Sequence, residues 1–205
     1  MELALVRHAE PDRPEDQELR RDPGLSTAGR EQARALAHRL RRGTWSALYA
    51  SPQRRASETA AVIADVLGLE PRIAAGLAEF DYGRPYIHLE DLMRTGNDMM
   101  AAFRREDFSA YGTDAETIRH NSIEAIESII AEHPGKRVVV VTHGAVINSF
   151  VGSFLGSKKL VFHHPTYTGV TQVMASRRGD REITCLNDST HLRLPWPALC
   201  EQEMR

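Results

Sequence analysis

Histidines and arginines stand where three apolar runs end, and those residue types together suit phosphoryl transfer. Leu3-Ala4-Leu5-Val6 leads into Arg7-His8. Ala47-Leu48-Tyr49-Ala50 leads into Ser51-Pro52-Gln53-Arg54-Arg55-Ala56, and Val138-Val139-Val140-Val141 into Thr142-His143-Gly144. A neutral imidazole is a competent nucleophile toward phosphorus. Guanidinium groups neutralise the equatorial oxygens of a phosphoryl group in transfer, and beside an imidazole they disfavour its protonation. His8, His143, Arg7 and one of Arg54 or Arg55 form such a set. The departing oxygen needs a proton, for which Glu79 is the best-placed carboxyl and Asp81 its close competitor. With arginines neutralising charge, neither metal nor cofactor is expected. The sequence has no His-Glu-x-x-His pattern, and His163-His164 reads as a polar loop pair, because neighbours on a regular element diverge.

The elements that would position these residues follow from the same runs. Each is too short for a helix and reads as a buried strand. Open α/β sheets place their crevices at the carboxyl ends of strands. Helices follow, with apolar stripes at Ala33, Leu36, Ala37 and Leu40, then at Ala56, Ala60, Ile63, Ala64 and Leu67. Ser26 or Thr27 caps the first, and Ser51 caps the second with Pro52 at its first position. Arg72 to Glu79 holds a short strand ending near Glu79. Thr113 or Asp114 caps a helix burying Ile118, Ser122, Ala125, Ile126, Ile129 and Ile130. Another begins at Ala145. Val170–Ala175 and Glu182–Leu186 flank Arg178-Gly179-Asp180 as a hairpin. The expected fold is α/β: a three-layer α/β/α sandwich with a mostly parallel sheet, an antiparallel edge strand and a small helical insertion over about 80–112. That insertion, with stripes at Leu89, Leu92, Met93 and Met99, Met100, Phe103, reads as a partial lid within a single domain spanning 1–205. Substrate specificity is expected from it and from the Glu10–Gly24 loop.

Bulk properties narrow the partners. A net charge of -2 over 205 residues gives no global attraction for nucleic acid. No apolar run approaches the ~20 residues of a membrane helix. Cys185 and Cys200 lack metal-ligand spacing and read as free thiols in a reducing compartment. A cytoplasmic protein without a leader segment is expected. A homodimer through the hairpin's edge strand or the insertion stays open.

Four motifs in order resemble the histidine phosphatase superfamily, with its phosphoglycerate-mutase-like fold. Arg7-His8 is similar to the family's Arg-His-Gly. Leu25-Ser26-Thr27-Ala28-Gly29-Arg30-Glu31-Gln32-Ala33 is similar to its Leu-Thr-x-x-Gly-x-x-Gln-Ala helix. Ser51 to Ala60 resembles its Ser-x-x-x-Arg-Ala-x-x-Thr-Ala segment, and Thr142-His143-Gly144 its second histidine motif. Asn187 to Leu192 also resembles its closing strand. The resemblance implies that His8 becomes phosphohistidine and that Arg7, Arg55, His143 and Gly144 bind the phosphoryl group. The alanine after the family arginine selects Arg55 over Arg54. Glu79 falls at the family's proton donor. Three departures stand out: Ala9 for the usual glycine, Arg84-Pro85-Tyr86 for Trp-Glu-Gly, and Pro11-Asp12-Arg13-Pro14 without the mutases' asparagine. They favour a metal-independent phosphomonoesterase acting on a small-molecule phosphate ester. A phosphoglycerate-type mutase, a protein phosphohistidine phosphatase and a non-catalytic phosphate-binding module are the alternatives. Arg84, Arg94, Arg104 and Arg105 are too scattered among acids for a mutase's basic lid.

Overall fold

The computed structural model describes residues 1–86, 88, 101–103, 105–157 and 159–193. Six strands form one sheet: β1 (Glu2–Arg7), β2 (Ala47–Ala50), β3 (Pro71–Ile73), β4 (Arg137–Thr142), β5 (Val170–Ala175) and β6 (Arg181–Asp188). Their order is β3-β2-β4-β1-β5-β6. The first four neighbours are parallel, β5 runs antiparallel to β1, and β6 antiparallel to β5. The strand running against the rest is therefore one in from the edge. A hairpin turning at Gly179, with φ of 97°, returns β6 to the direction of β1.

Alternation along the strands sorts the core into two layers. Leu3, Leu5, Tyr49, Val138 and Val140 point to one face, where α3 (Ala115–Glu132) and α4 (Gly144–Leu155) contribute Ile126, Ile129, Val146, Ile147 and Phe150. Ala4, Val6, Leu48, Ala50, Val139 and Val141 point to the other. There α1 (Thr27–Leu40) and α2 (Arg54–Leu67) supply Leu36, Ala37, Leu40, Ala56, Ala60 and Ile63. Both faces are covered, which is why the central strands are apolar throughout.

Local signals behave unevenly. Ser26 caps α1 by accepting from Gly29 N, and Asp114 caps α3 by accepting from Thr117 N. Ser51 does not cap α2. That helix starts at Arg54, with Gln53 before it and no side-chain cap; the Ser51 hydroxyl, two residues before the cap position, lies 2.8 Å from His143 Nε2 and accepts from Gln53 N at 3.3 Å. The strand expected to reach Glu79 stops at Ile73, where its partner β2 ends at Ala50. The chain then makes a 3-10 turn over Ala75–Leu77. Of the insertion's stripes, Leu89, Leu92, Met93, Met99 and Met100 lie outside the described residues, as does Cys200. Phe103 is buried in a smaller cluster with Phe80, Phe108, Tyr111, Ile118, Ala145 and Leu160. Cys185 is a free thiol.

The first turn of α1 clamps the loop that follows β1. Ser26 N donates to the Glu10 carbonyl at 3.0 Å. Glu10 N donates to Gln32 Oε1 at 2.9 Å. A Cβ on Gly29 would overlap the Glu10 carbonyl. Alanine is about 1 kcal/mol better than glycine inside a helix, so propensity alone predicts that Gly29→Ala stabilises. Overpacking should win, and Gly29→Ala should lose about 1–3 kcal/mol in a urea titration. A gain in stability would show that this approach is not tight.

Candidate active site

The carboxyl ends of β1, β2 and β4 bring the expected residues together. Arg7 and Thr142 are register partners on adjacent strands. His8 and His143, each one residue further on, have ring centroids 5.1 Å apart. Both are buried. His8 Nδ1 lies 2.8 Å from the carbonyl oxygen of Ala9. An oxygen there accepts, so Nδ1 carries the hydrogen and Nε2 keeps its lone pair. Ala9 N donates to Thr59 Oγ1, which donates to the Arg55 carbonyl. The methyl of Ala9, the departure from the usual glycine, packs with Leu25, Ala33 and Val62.

Arg55 sits in the first turn of α2 and is fully buried, at 0% exposure. Its Nη2 donates to Asp81 Oδ1 at 2.8 Å. Its Nε and Nη1 are buried without a protein partner. Arg54, its neighbour, is exposed and pairs with Glu58 at 2.6 Å, so the structure also separates the two arginines. Arg7 Nη1 donates to the Pro165 carbonyl at 2.7 Å. His143 Nε2 lies 2.8 Å from Ser51 Oγ, while its Nδ1 is buried without a partner.

Glu79 and Asp81, competitors in the sequence, have different surroundings. Asp81 is buried and its Oδ1 accepts from both Arg55 and Gln53, the latter at 2.7 Å. Glu79 Oε2 accepts from Ala145 N at 3.0 Å, at the start of α4. Its own backbone N donates to Gln53 Oε1. Thr142 Oγ1 donates to the Leu77 carbonyl and holds the preceding turn. Burial, then the charge of Asp81, pushes the Glu79 carboxyl up to about 7, against the pull of the Ala145 N–H and Arg55. Burial, then Arg55 and Arg7, holds His8 well below the ordinary imidazole value. Burial, then Arg55 and His8, does the same to His143. The site thus combines neutral imidazoles with a carboxyl that carries its proton close to neutrality.

Several contributors were not foreseen. Tyr167 stacks on Arg7, with the guanidinium carbon 4.1 Å from the ring centre, and Tyr86 stacks on Arg55 at 4.3 Å. Tyr86 belongs to Arg84-Pro85-Tyr86, the noted departure. Tyr167 lies in a loop without periodicity and left no signal. That loop is fastened from the end of the chain. Thr168, with φ of 56°, donates its N–H to the Arg7 carbonyl at 3.0 Å, and its hydroxyl lies 2.9 Å from His191 Nε2. Beyond Tyr86 lies a cavity of about 250 Å³ lined by Asp12, Arg13, Pro14, Arg20, Pro23, Tyr86 and His88. Among the described residues, no group of three His, Cys, Asp or Glu side chains is placed to hold a metal ion. No described helix is long and apolar enough to cross a membrane.

Residues 3–189 match the profile of the histidine phosphatase superfamily (branch 1). The chain belongs to that family and is an enzyme of the histidine phosphatase class. Phosphoglycerate mutase-like protein 4 of Arabidopsis thaliana is 31% identical over 164 residues, which span 72% of this chain and 68% of that protein. Phosphoserine phosphatase 1 of Hydrogenobacter thermophilus is 28% identical over 165 residues, 76% of this chain and 77% of that protein. A variant phosphoserine phosphatase from Entamoeba histolytica, solved in complex with phosphoserine, shares the fold. Its TM-score is 0.74 at 23% identity, over 93% of this chain and 98% of that one.

Removing one partner of a buried ion pair strands the other charge, which typically costs about 3–5 kcal/mol. Asp81→Ala should lose stability on that scale in chemical denaturation. A loss below about 1 kcal/mol, the range of exposed pairs, would mean that water reaches Arg55.

Proposed function

We propose that this enzyme is a metal-independent phosphomonoesterase that hydrolyses a small phosphorylated metabolite through a phosphohistidine on His8. The observation that carries this reading is a buried Arg55 with two unpartnered donor nitrogens, Nε and Nη1, beside a His8 whose Nδ1 is already tied to the backbone. Buried polar groups are almost always hydrogen-bonded, so donors left unmade in a closed site mark the place of an acceptor. A phosphoryl group supplies several, and it carries the charge that Arg7 and Arg55 oppose.

In this reading Arg7, Arg55, the Nδ1–H of His143 and the start of α4 at Gly144 hold the phosphoryl oxygens, the last through its helix N-terminus. The lone pair of His8 Nε2 forms a bond to phosphorus as the ester P–O bond breaks. Glu79 gives its proton to the departing alcohol oxygen. A water then attacks the phosphohistidine, and the Glu79 carboxylate takes the water's proton. The P–N bond breaks, its electron pair returns to His8, and inorganic phosphate leaves. Asp81 is a positioning residue here: it orients Arg55 and keeps Glu79 protonated. The phosphoserine phosphatases among the relatives and the modest cavity beyond Tyr86 support hydrolysis of a small ester.

The intermediate is tested directly. Wild-type protein mixed with a radiolabelled phosphate ester and quenched should carry acid-labile label on His8. His8→Ala should carry none and lose turnover, and excess chelator should change neither result for the wild type. Full activity in His8→Ala sinks the proposal, while a bisphosphate-dependent isomerised product in place of free phosphate would point to a mutase. Arg7→Ala should lose roughly 10³-fold in kcat/KM, by the scale of arginine clamps on phosphoryl groups.

Glu79 is tested through its proton. The carboxyl releases it as pH rises through about 7, so turnover of alkyl esters should fall across that range. Glu79→Gln should slow alkyl esters by about 10²–10⁴-fold and leave formation of the phosphoenzyme from an activated aryl phosphate much less affected. Asp81→Asn removes the charge that raises Glu79, so the alkaline limb should move to lower pH. A limb unmoved in both variants would assign the proton to another group.

A further inference from the structure

Resting on that reading, we propose that Tyr86 determines which alcohol the phosphate ester carries. Its ring is the wall between the phosphoryl pocket and the outer cavity, and it favours small polar alcohols over bulky aromatic ones.

The placement of Tyr86 supports this on both sides. Inward, its ring lies over the Arg55 guanidinium at 4.3 Å and meets the His8 ring edge-on, with centroids 6.1 Å apart. Outward, it lines the cavity of about 250 Å³. A guanidinium bonds anions in its plane and aromatic rings on its face. Tyr86 can therefore cover Arg55 without competing for the Nε–H and Nη1–H that the phosphoryl group would use. It can also border the space through which the leaving alcohol extends.

The wall is held in place from several directions. Tyr86 N donates to the Arg20 carbonyl at 2.9 Å, and Arg20 Nε donates to the Pro14 carbonyl at 2.7 Å. The ring packs edge-on against His88, with centroids 4.8 Å apart. Its hydroxyl lies 3.4 Å from that of Tyr167, which itself covers Arg7. The two rings thus meet beside His8, one on each arginine. Tyr82, four residues earlier, is 58% exposed and has no part in this. Beyond the wall the lining includes the polar side chains of Asp12, Arg13, Arg20 and His88. These groups can hydrogen-bond the hydroxyls of a short polar alcohol and offer nothing equivalent to a fused aromatic ring, which would have to displace the Tyr86 wall to sit against apolar surface.

The test compares kcat/KM for glycerol phosphate and 1-naphthyl phosphate in wild type, Tyr86→Ala and Tyr86→Phe. Tyr86→Ala should raise the naphthyl-to-glycerol ratio by about 10-fold or more, the scale on which apolar pocket walls discriminate. Tyr86→Phe keeps the ring and should leave the ratio near that of wild type. A ratio unchanged in Tyr86→Ala, with both rates lowered together, overturns the proposal, because loss of mere structural support slows both esters alike. Should Tyr86→Ala not fold, Tyr86→Leu shortens the wall while keeping apolar volume against Arg55, and the same ratio decides. Label on His8 in the wild type is measured alongside. If it is absent, the phosphohistidine reading fails; if it is present and the ratio is unmoved, only the role of Tyr86 fails.

Discussion

Arg55 has no contact with solvent, and among the described residues Asp81 is the carboxylate that pairs with it. Burying a cation is costly unless it is paired and fully hydrogen-bonded. Here it is paired but not fully bonded. The rest of the site follows from that condition. Asp81 must be buried to meet Arg55, and burial together with the charge of Asp81 raises the carboxyl of Glu79 nearby. Burial together with the charge of Arg55 keeps both histidines neutral. Gln53 bridges the two acids, accepting from the backbone of Glu79 and donating to the side chain of Asp81. In the proposed function an incoming phosphate would complete the bonding of Arg55, whose Nε and Nη1 have no partner within the described protein.

The sheet makes this arrangement rigid. Both faces of β1, β2 and β4 are packed against helices, so the strand ends that carry Arg7, His8 and His143 cannot shift independently of the core. The lining of the outer cavity comes from elsewhere: Tyr86 from the segment after Glu79, and Arg13 and Arg20 from the Glu10–Gly24 loop. The segment 79–86 belongs to both regions, because it carries Glu79 and Asp81 as well as the Tyr86 ring that covers Arg55.

What could be read from the sequence was whatever strand and helix periodicity impose. Val138 to Val141 declares a buried strand, so the position of His143 at its end was legible. The same holds for His8 after Leu3 to Val6. The strand end after Ala47 to Ala50 left Arg54 and Arg55 open, and only the family resemblance, through the alanine that follows, selected Arg55. Capping residues are ambiguous, because a hydroxyl has several uses. Ser26 caps its helix, whereas Ser51 serves His143, and no local rule separates them. The end of β3 depended on the length of its neighbour β2, a tertiary fact. Tyr167 was invisible because nothing periodic marks a loop that folds over a guanidinium. The division of labour between Glu79 and Asp81 was hidden for a similar reason. It depends on which carboxylate reaches Arg55 and which reaches the start of α4, and spacing along the chain does not say.

The fastening of Thr168 to both Arg7 and His191 has a consequence for how the protein is born. β1 is made well before the strands it pairs with among the described residues, β4 and β5, which lie more than a hundred residues later. The hydroxyl contact that secures the adjoining loop waits for residue 191. Until those later segments exist, β1 lacks the strands that flank it in the folded protein, and the centre at its end is built from contacts of long sequence separation.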